Sequence, residues 1–208
     1  KLLQYSTPDS DILFDLSSDQ YAVATEGADT SLQRCISESG ISDYADLSFF
    51  ITESYFYVVC DDAFFASALT DHVMGDFEQI CTGVYPLVQV GDTIYCTEYR
   101  IDSDNAYDFD TIDLYAVKDG GMYLVAPMIF PTSLNIYADG VMTAQGEGTN
   151  GPVWGRAKEG TSNLPDALYL PTYLGEERFL YETETALYFY DAHSAETVKL
   201  FDDPRWVW

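Results

Sequence analysis

Apolar and polar side chains alternate along most of this chain. Over Leu47 to Ile51, Tyr55 to Cys60, Leu87 to Tyr95 and Arg178 to Tyr190 the alternation has period two and draws on aromatic and β-branched residues. That period puts successive side chains on opposite faces of an extended backbone, so these runs predict strands. Helical periodicity is weak; its best stretches are Thr30 to Ser37 and Ala66 to Met74, both short. Turn-forming residues recur at Glu53-Ser54, Asp61-Asp62, Gly91-Asp92, Asp119-Gly120-Gly121, Asp139-Gly140 and Glu159-Gly160. They predict short strands joined by tight hairpins. One such hairpin joins Val84 to Val90 with Thr93 to Tyr99 and sets Cys96 opposite Leu87.

A short phrase returns along the chain. Tyr21 to Gly27 (YAVATEG) reads like Tyr115 to Gly121 (YAVKDGG) and, more loosely, like Trp154 to Gly160 (WGRAKEG). Phe65 to Asp71 and Tyr188 to Ser194 keep only the leading aromatic and a polar turn. Each copy precedes a short apolar run that predicts a strand: Leu32 to Ile36, Phe77 to Cys81, Met122 to Ala126, Ala167 to Leu170 and Thr197 to Phe201. Most copies also follow one or two strands. A unit of this kind cannot bury both its faces alone, so neighbouring units must stack on one another.

The phrase resembles the blade repeats of bacterial extracytoplasmic β-propellers, and Leu114 to Val125 carries the resemblance best. The resemblance implies one all-β domain over residues 1–208, a small β-propeller-like array of about five blades. Its repeat units would be 9–40, 46–83, 84–127, 132–172 and 176–203, with the N-terminal strand completing the last blade so that no edge stays open. A β-sandwich or an open barrel is the alternative reading of the same alternation. A cone-shaped α+β domain fits less well, because it needs two or three long amphipathic helices.

Composition narrows the partners. Hydrophobic residues make up 47% and aromatics 15%, so the chain carries enough apolar surface to fold. Its longest apolar runs, Tyr55 to Cys60 and Leu124 to Phe130, are far short of the ~18 residues a membrane helix needs. Nine Lys and Arg face 35 Asp and Glu, a net charge of −26, which repels nucleic-acid backbones and anionic lipid surfaces. Spread over roughly 9,700 Å² of surface, these charges stand ~19 Å apart. Mutual repulsion is then mostly screened at physiological salt. So acidic a surface reads as that of an extracellular or cell-surface protein, and the start at Lys1 without a Met or an apolar leader is what a mature or trimmed chain would show.

Cys35, Cys60, Cys81 and Cys96 lack the spacing of a zinc site, leaving two disulfides or four buried thiols. The Lys-poor, acidic composition of a secreted protein favours disulfides, with three pairings formally open. A Cys81 to Cys96 bond would demand a sharp bend between the two.

Chemistry-bearing residues are few. Asp102, Asp104, Asp108, Asp110 and Asp113 crowd the longest insertion and could wrap a hard cation such as calcium, which takes six to eight oxygens. They lack the glycine of the helix-loop-helix calcium loop, and the competing reading is a solvated acidic loop; beyond this calcium no cofactor is expected. The only histidines, His72 and His193, sit in predicted turns, and no nucleophile elbow accompanies them. Tyr and Trp rings flanked by carboxylates could stack on sugars, although core filling accounts for most of them. Trp206 and Trp208 share one face of a terminal strand and must cover something apolar. The function these features support is a non-catalytic binding or assembly module for a protein or a glycan. The alternative is a carbohydrate-active hydrolase or lectin built on acidic and aromatic residues. Calcium in the Asp loop would stabilise the fold, so EGTA would lower the melting temperature; an unchanged value assigns the loop to solvent.

Overall fold

The alternation becomes an all-β chain in the computed structural model, which describes residues 2–6, 11–15, 19–41, 47–98, 112–144, 152–164 and 171–202. Among these residues nineteen strands form four sheets, and one α-helix accompanies them. The chain divides into two compact units, Lys1–Glu98 with Tyr115–Tyr123, and Tyr99–Leu114 with Leu124–Trp208.

In the first unit, β1 (Leu2–Ser6), β2 (Asp11–Asp15) and β3 (Gln20–Ala24) make one antiparallel meander. A second comprises β4 (Leu47–Ile51), β5 (Tyr55–Cys60), β6 (Ala63–Thr70) and β7 (Val73–Cys81). One parallel bridge, Val23 to Val73, joins them into a seven-stranded sheet ordered β1-β2-β3-β7-β6-β5-β4. The centre of that sheet is buried on both sides. Phe56, Val58 and Cys60 of β5, with Ala63 and Phe65 of β6, enter one core, and Tyr57, Val59, Phe64 and Ala66 enter another. Cross-strand pairing keeps the two sets apart, since Val58 opposes Phe65 and Tyr57 opposes Ala66. Each large side chain so buried contributes roughly 1.5–3 kcal/mol relative to an exposed one.

The first core is closed by α1 (Glu26–Glu38), where the repeat had placed a strand at Leu32 to Ile36. Local signals overrule the repeat there. Thr25 caps the N-terminus by accepting a hydrogen bond from the Ala28 amide at 3.3 Å, and Glu26 and Asp29 lie in the first turn, where the helix dipole favours them. Ala28, Leu32 and Ile36 recur every four residues and meet the sheet. The helix is also fastened to β7 at one residue. Ser31 Oγ accepts from the Phe77 amide at 2.9 Å, and the Cys35 thiol donates to the Phe77 carbonyl at 3.0 Å. Two backbone groups that a neighbouring strand would otherwise pair are thereby satisfied.

The other helical stretch, Ala66 to Met74, is the end of β6, a turn and the start of β7. Asp71 and His72 both adopt positive φ, 51° and 66°, which folds a tight hairpin rather than a helical turn. The second core takes Val84, then Ile94 and Cys96 from β9 (Thr93–Glu98), which pairs with β8 (Tyr85–Val90), and Val117 from β10 (Ile112–Lys118). With β11 (Gly121–Ile129) these form a sheet ordered β11-β10-β9-β8. A bulge at Leu87 shifts the register, so Cys96 opposes Pro86 instead of Leu87.

All four cysteines are thiols, which corrects the expected disulfides. The sheet separates them: Cys60, with Cys35 at its margin, belongs to the helix-side core, and Cys96, with Cys81, to the opposite one. Cys35 is turned to the Phe77 carbonyl. Burial pushes the Cys81 thiol up to about 11 and the Cys96 thiol higher still, leaving almost no thiolate for exchange at neutral pH.

The second unit holds two further antiparallel sheets. β12 (Asn135–Ile136), β13 (Val141–Ala144), β14 (Pro152–Arg156) and β15 (Gly160–Asn163) form one, and β16 (Thr172–Gly175), β17 (Arg178–Glu182), β18 (Ala186–Asp191) and β19 (Glu196–Asp202) the other. Met142, Trp154 and Leu164 pack with Phe179, Tyr181, Tyr190 and Ala192 to join them. Trp154 is wholly buried under the β12–β13 turn. A Cβ at Gly140 would stand 2.5 Å from its Cζ2 and 2.7 Å from the Gly155 carbonyl oxygen. Both neighbours are rigid, so Gly140→Ala should cost about 1–3 kcal/mol, read as a lower urea midpoint with an unchanged slope.

Candidate functional site

The carboxylates proposed for calcium are not gathered among the described residues. Asp102, Asp104, Asp108 and Asp110 lie outside them, and Asp113 is buried on β10, where its Oδ1 accepts the Met128 amide at 2.7 Å. Met128 has φ 49°, a strained value for a non-glycine residue that this bond helps to hold. No group of three or more His, Cys, Asp or Glu among the described residues is placed to bind a metal ion. The histidines serve the turns that carry them. His72 stacks on Tyr21 with ring centroids 4.1 Å apart, and its carbonyl accepts the Val23 amide. The amides of His193 and Ser194 both donate to Asp191 Oδ1. Trp206 and Trp208 lie outside the described residues.

Aromatic and acidic residues do converge in the second unit. Tyr137, Trp154, Tyr173 and Phe179 form a ring cluster, with Tyr137 and Tyr173 centroids 4.1 Å apart and Trp154 and Tyr173 stacked at 5.9 Å. Asp139, in the turn after β12, accepts from the Tyr173 hydroxyl at 2.5 Å and the Glu177 amide at 3.0 Å. Arg156 Nη1 donates to Glu177 at 3.1 Å and also pairs with Glu159 at 2.9 Å. Desolvation raises the Glu177 carboxyl against the opposing pull of Arg156. Desolvation first, then the Asp139 carboxylate, pushes the Tyr173 phenol up to about 12. This arrangement is a latch between two sheets: the rings face one another and the carboxylate is occupied by its neighbours.

The last sheet carries an exposed face. Phe179, Tyr181, Tyr188 and Tyr190 point into the core shared with β13 and β14. On the other face, strand register lines up three rows across β17, β18 and β19: Arg178 with Asp191 and Glu196, Leu180 with Phe189 and Val198, and Glu182 with Leu187 and Phe201. None of these nine is buried, and Val198 and Phe201 are 41% and 62% exposed. The extra residue of a bulge, Leu200, is exposed as well. The alternation of these strands is the same as that of strands covered on both faces, so it does not mark which face stays open.

No protein-family model matches the chain, and no curated protein matches it. Among solved structures it is similar to a chain of the S. cerevisiae assembly of Dbp5 bound to Nup159, Gle1, IP6 and ADP, and to the N-terminal domain of Nup159. Each superposes with a TM-score of 0.36 at 13% identity, covering 96% and 95% of this chain. This chain spans 58% and 57% of theirs, and similarity this low assigns neither fold nor function.

The latch gives a pH signature. Tyr173 is neutral and hydrogen-bonded below its ordinary value, so its contribution to stability is complete below about pH 10 and fades as pH rises toward about 12. Tyr173→Phe should therefore lower the melting temperature at neutral pH and flatten the alkaline decline of the parent protein; an identical alkaline slope in both would remove Tyr173 from that role.

Proposed function

We propose that this protein is a non-catalytic binding or assembly module whose partner is another protein bearing basic groups. The observation that carries this reading is the outer face of β17, β18 and β19, where exposed Val198 and Phe201 and half-buried Leu180, Leu187 and Phe189 are bordered by Glu182, Asp191 and Glu196, with Arg178 at one corner, in a chain of net charge −26. An apolar strip with an acidic rim complements an apolar strip with a basic one, and the charges would steer the encounter. The four-stranded meanders would act as blades of a propeller-like array, working outside the cytoplasm or at a cell surface. Support for the blades comes from the leading aromatics: Tyr21, Phe65, Tyr115, Trp154 and Tyr188 each lie on the third strand of a meander.

The glycan alternative draws less support, because the aromatic-acidic cluster that would serve it is tied up in the latch. A peptide array graded in net charge, probed alongside a glycan panel, separates the readings. Retention should rise with peptide charge and fall about tenfold between roughly 50 and 500 mM salt. Hydrolysis of a glycan, or glycan retention indifferent to salt, would overturn the proposal.

A further inference from the structure

The binding face ends at β19, the last strand of its sheet, paired on one side with β18 and with no strand on the other among the described residues. All seven residues of β19 are exposed. An edge of this kind presents backbone N–H and C=O groups that an incoming strand can pair. Its side chains decide which strand is welcome.

A second copy of this chain is a poor occupant. If two β19 strands paired antiparallel about Lys199, Glu196 would face the other copy's Asp202, and Lys199 would face Lys199. Like charges directly opposite one another destabilise a strand pair. The exposed face is also small. Three strands about 4.8 Å apart and five residues long cover roughly 240 Å², against about 800 Å² per partner in a stable protein–protein interface. An extended segment gains main-chain hydrogen bonds along the edge and does not need a wide face.

Resting on the protein-binding reading above, we infer that the free edge of β19 takes an extended segment of a partner protein as a fifth strand. The segment would set apolar side chains beside Val198 and Phe201, continuing two rows of the sheet. It would set a Lys or Arg beside Glu196, continuing the row Arg178, Asp191, Glu196. Val198 and Phe201 thus choose apolar alternation, and Glu196 chooses the register.

The test uses the intact chain and a labelled seven-residue peptide, Thr-Val-Thr-Val-Thr-Lys-Thr, whose two Val and one Lys share a face, read by fluorescence anisotropy. Val198→Asp combined with Phe201→Asp should weaken binding about tenfold or more, whereas Leu87→Asp, an equally exposed site on β8, should change it less than about twofold. Glu196→Lys should weaken the Lys peptide and be rescued by a peptide carrying Glu at the matching end. Amides of residues 196–202 should gain protection from hydrogen exchange when peptide is bound. Binding that all variants share, or that leaves those amides unprotected, overturns the edge site and leaves the binding module standing. Failure of this peptide while other cationic peptides of the array bind also overturns the edge site alone. Silence of the whole array overturns the reading beneath it.

Discussion

A β-strand has two faces, and in the middle of the first unit both are apolar. Tyr55 to Cys60 is buried along five of its six residues, so neither side of the β5–β6 hairpin can meet water. That constraint organises its surroundings. One side requires a cover, which α1 supplies through Ala28, Leu32 and Ile36, and the other draws in Val84, Ile94, Cys96 and Val117. The last sheet answers the same constraint only halfway, with Phe179, Tyr181 and Tyr190 covered and Leu180, Phe189 and Val198 left open. The binding face is thus what remains when a stacking grammar stops on one side.

The acidic composition has a structural use besides solubility. Aspartates in turns and at a strand end accept backbone amides: Asp62 from Gly83, Asp92 from Glu53 and Asp139 from Glu177 in turns, and Asp113 of β10 from Met128. Carboxylates suit the task because they accept without needing a donor in return. Three of the described cations are engaged with acids. Arg156 pairs with Glu159 and Glu177, Arg178 with Glu176, and Lys199 with Asp202. The exposed pairs of Arg178 and Lys199 add little stability and leave the surface field strongly negative.

Glycines mark where backbone and rings meet closely. Gly120, at φ 72°, lets its amide reach the Tyr57 hydroxyl at 3.1 Å, and a side chain there would strike Tyr55. Burial drives the Tyr57 phenol up to about 12 despite that bond. The same economy holds Trp154 beneath Gly140, with its buried indole Nε1 having no hydrogen-bond partner among the described residues.

Period-two alternation and turn pairs were enough to predict strands and hairpins, because side-chain direction along a strand is fixed by local geometry. Gly91-Asp92 and Asp119-Gly120 both turn as their residues dictate. The acid excess likewise belongs to the chain whatever its fold. Three features were decided only by tertiary structure. The helix over residues 26–38 carries local signals, but its seat on the sheet was decided by β7, where Phe77 holds Ser31 and Cys35 from more than forty residues away. The cysteines were divided between the two cores, Cys35 and Cys60 on the helix side and Cys81 and Cys96 on the other, and burial suppressed the Cys81 and Cys96 thiolates. The open face of β17, β18 and β19 has the same alternation as the covered strands. Which side of a strand finds a neighbour depends on packing among distant segments, and alternation alone does not encode it.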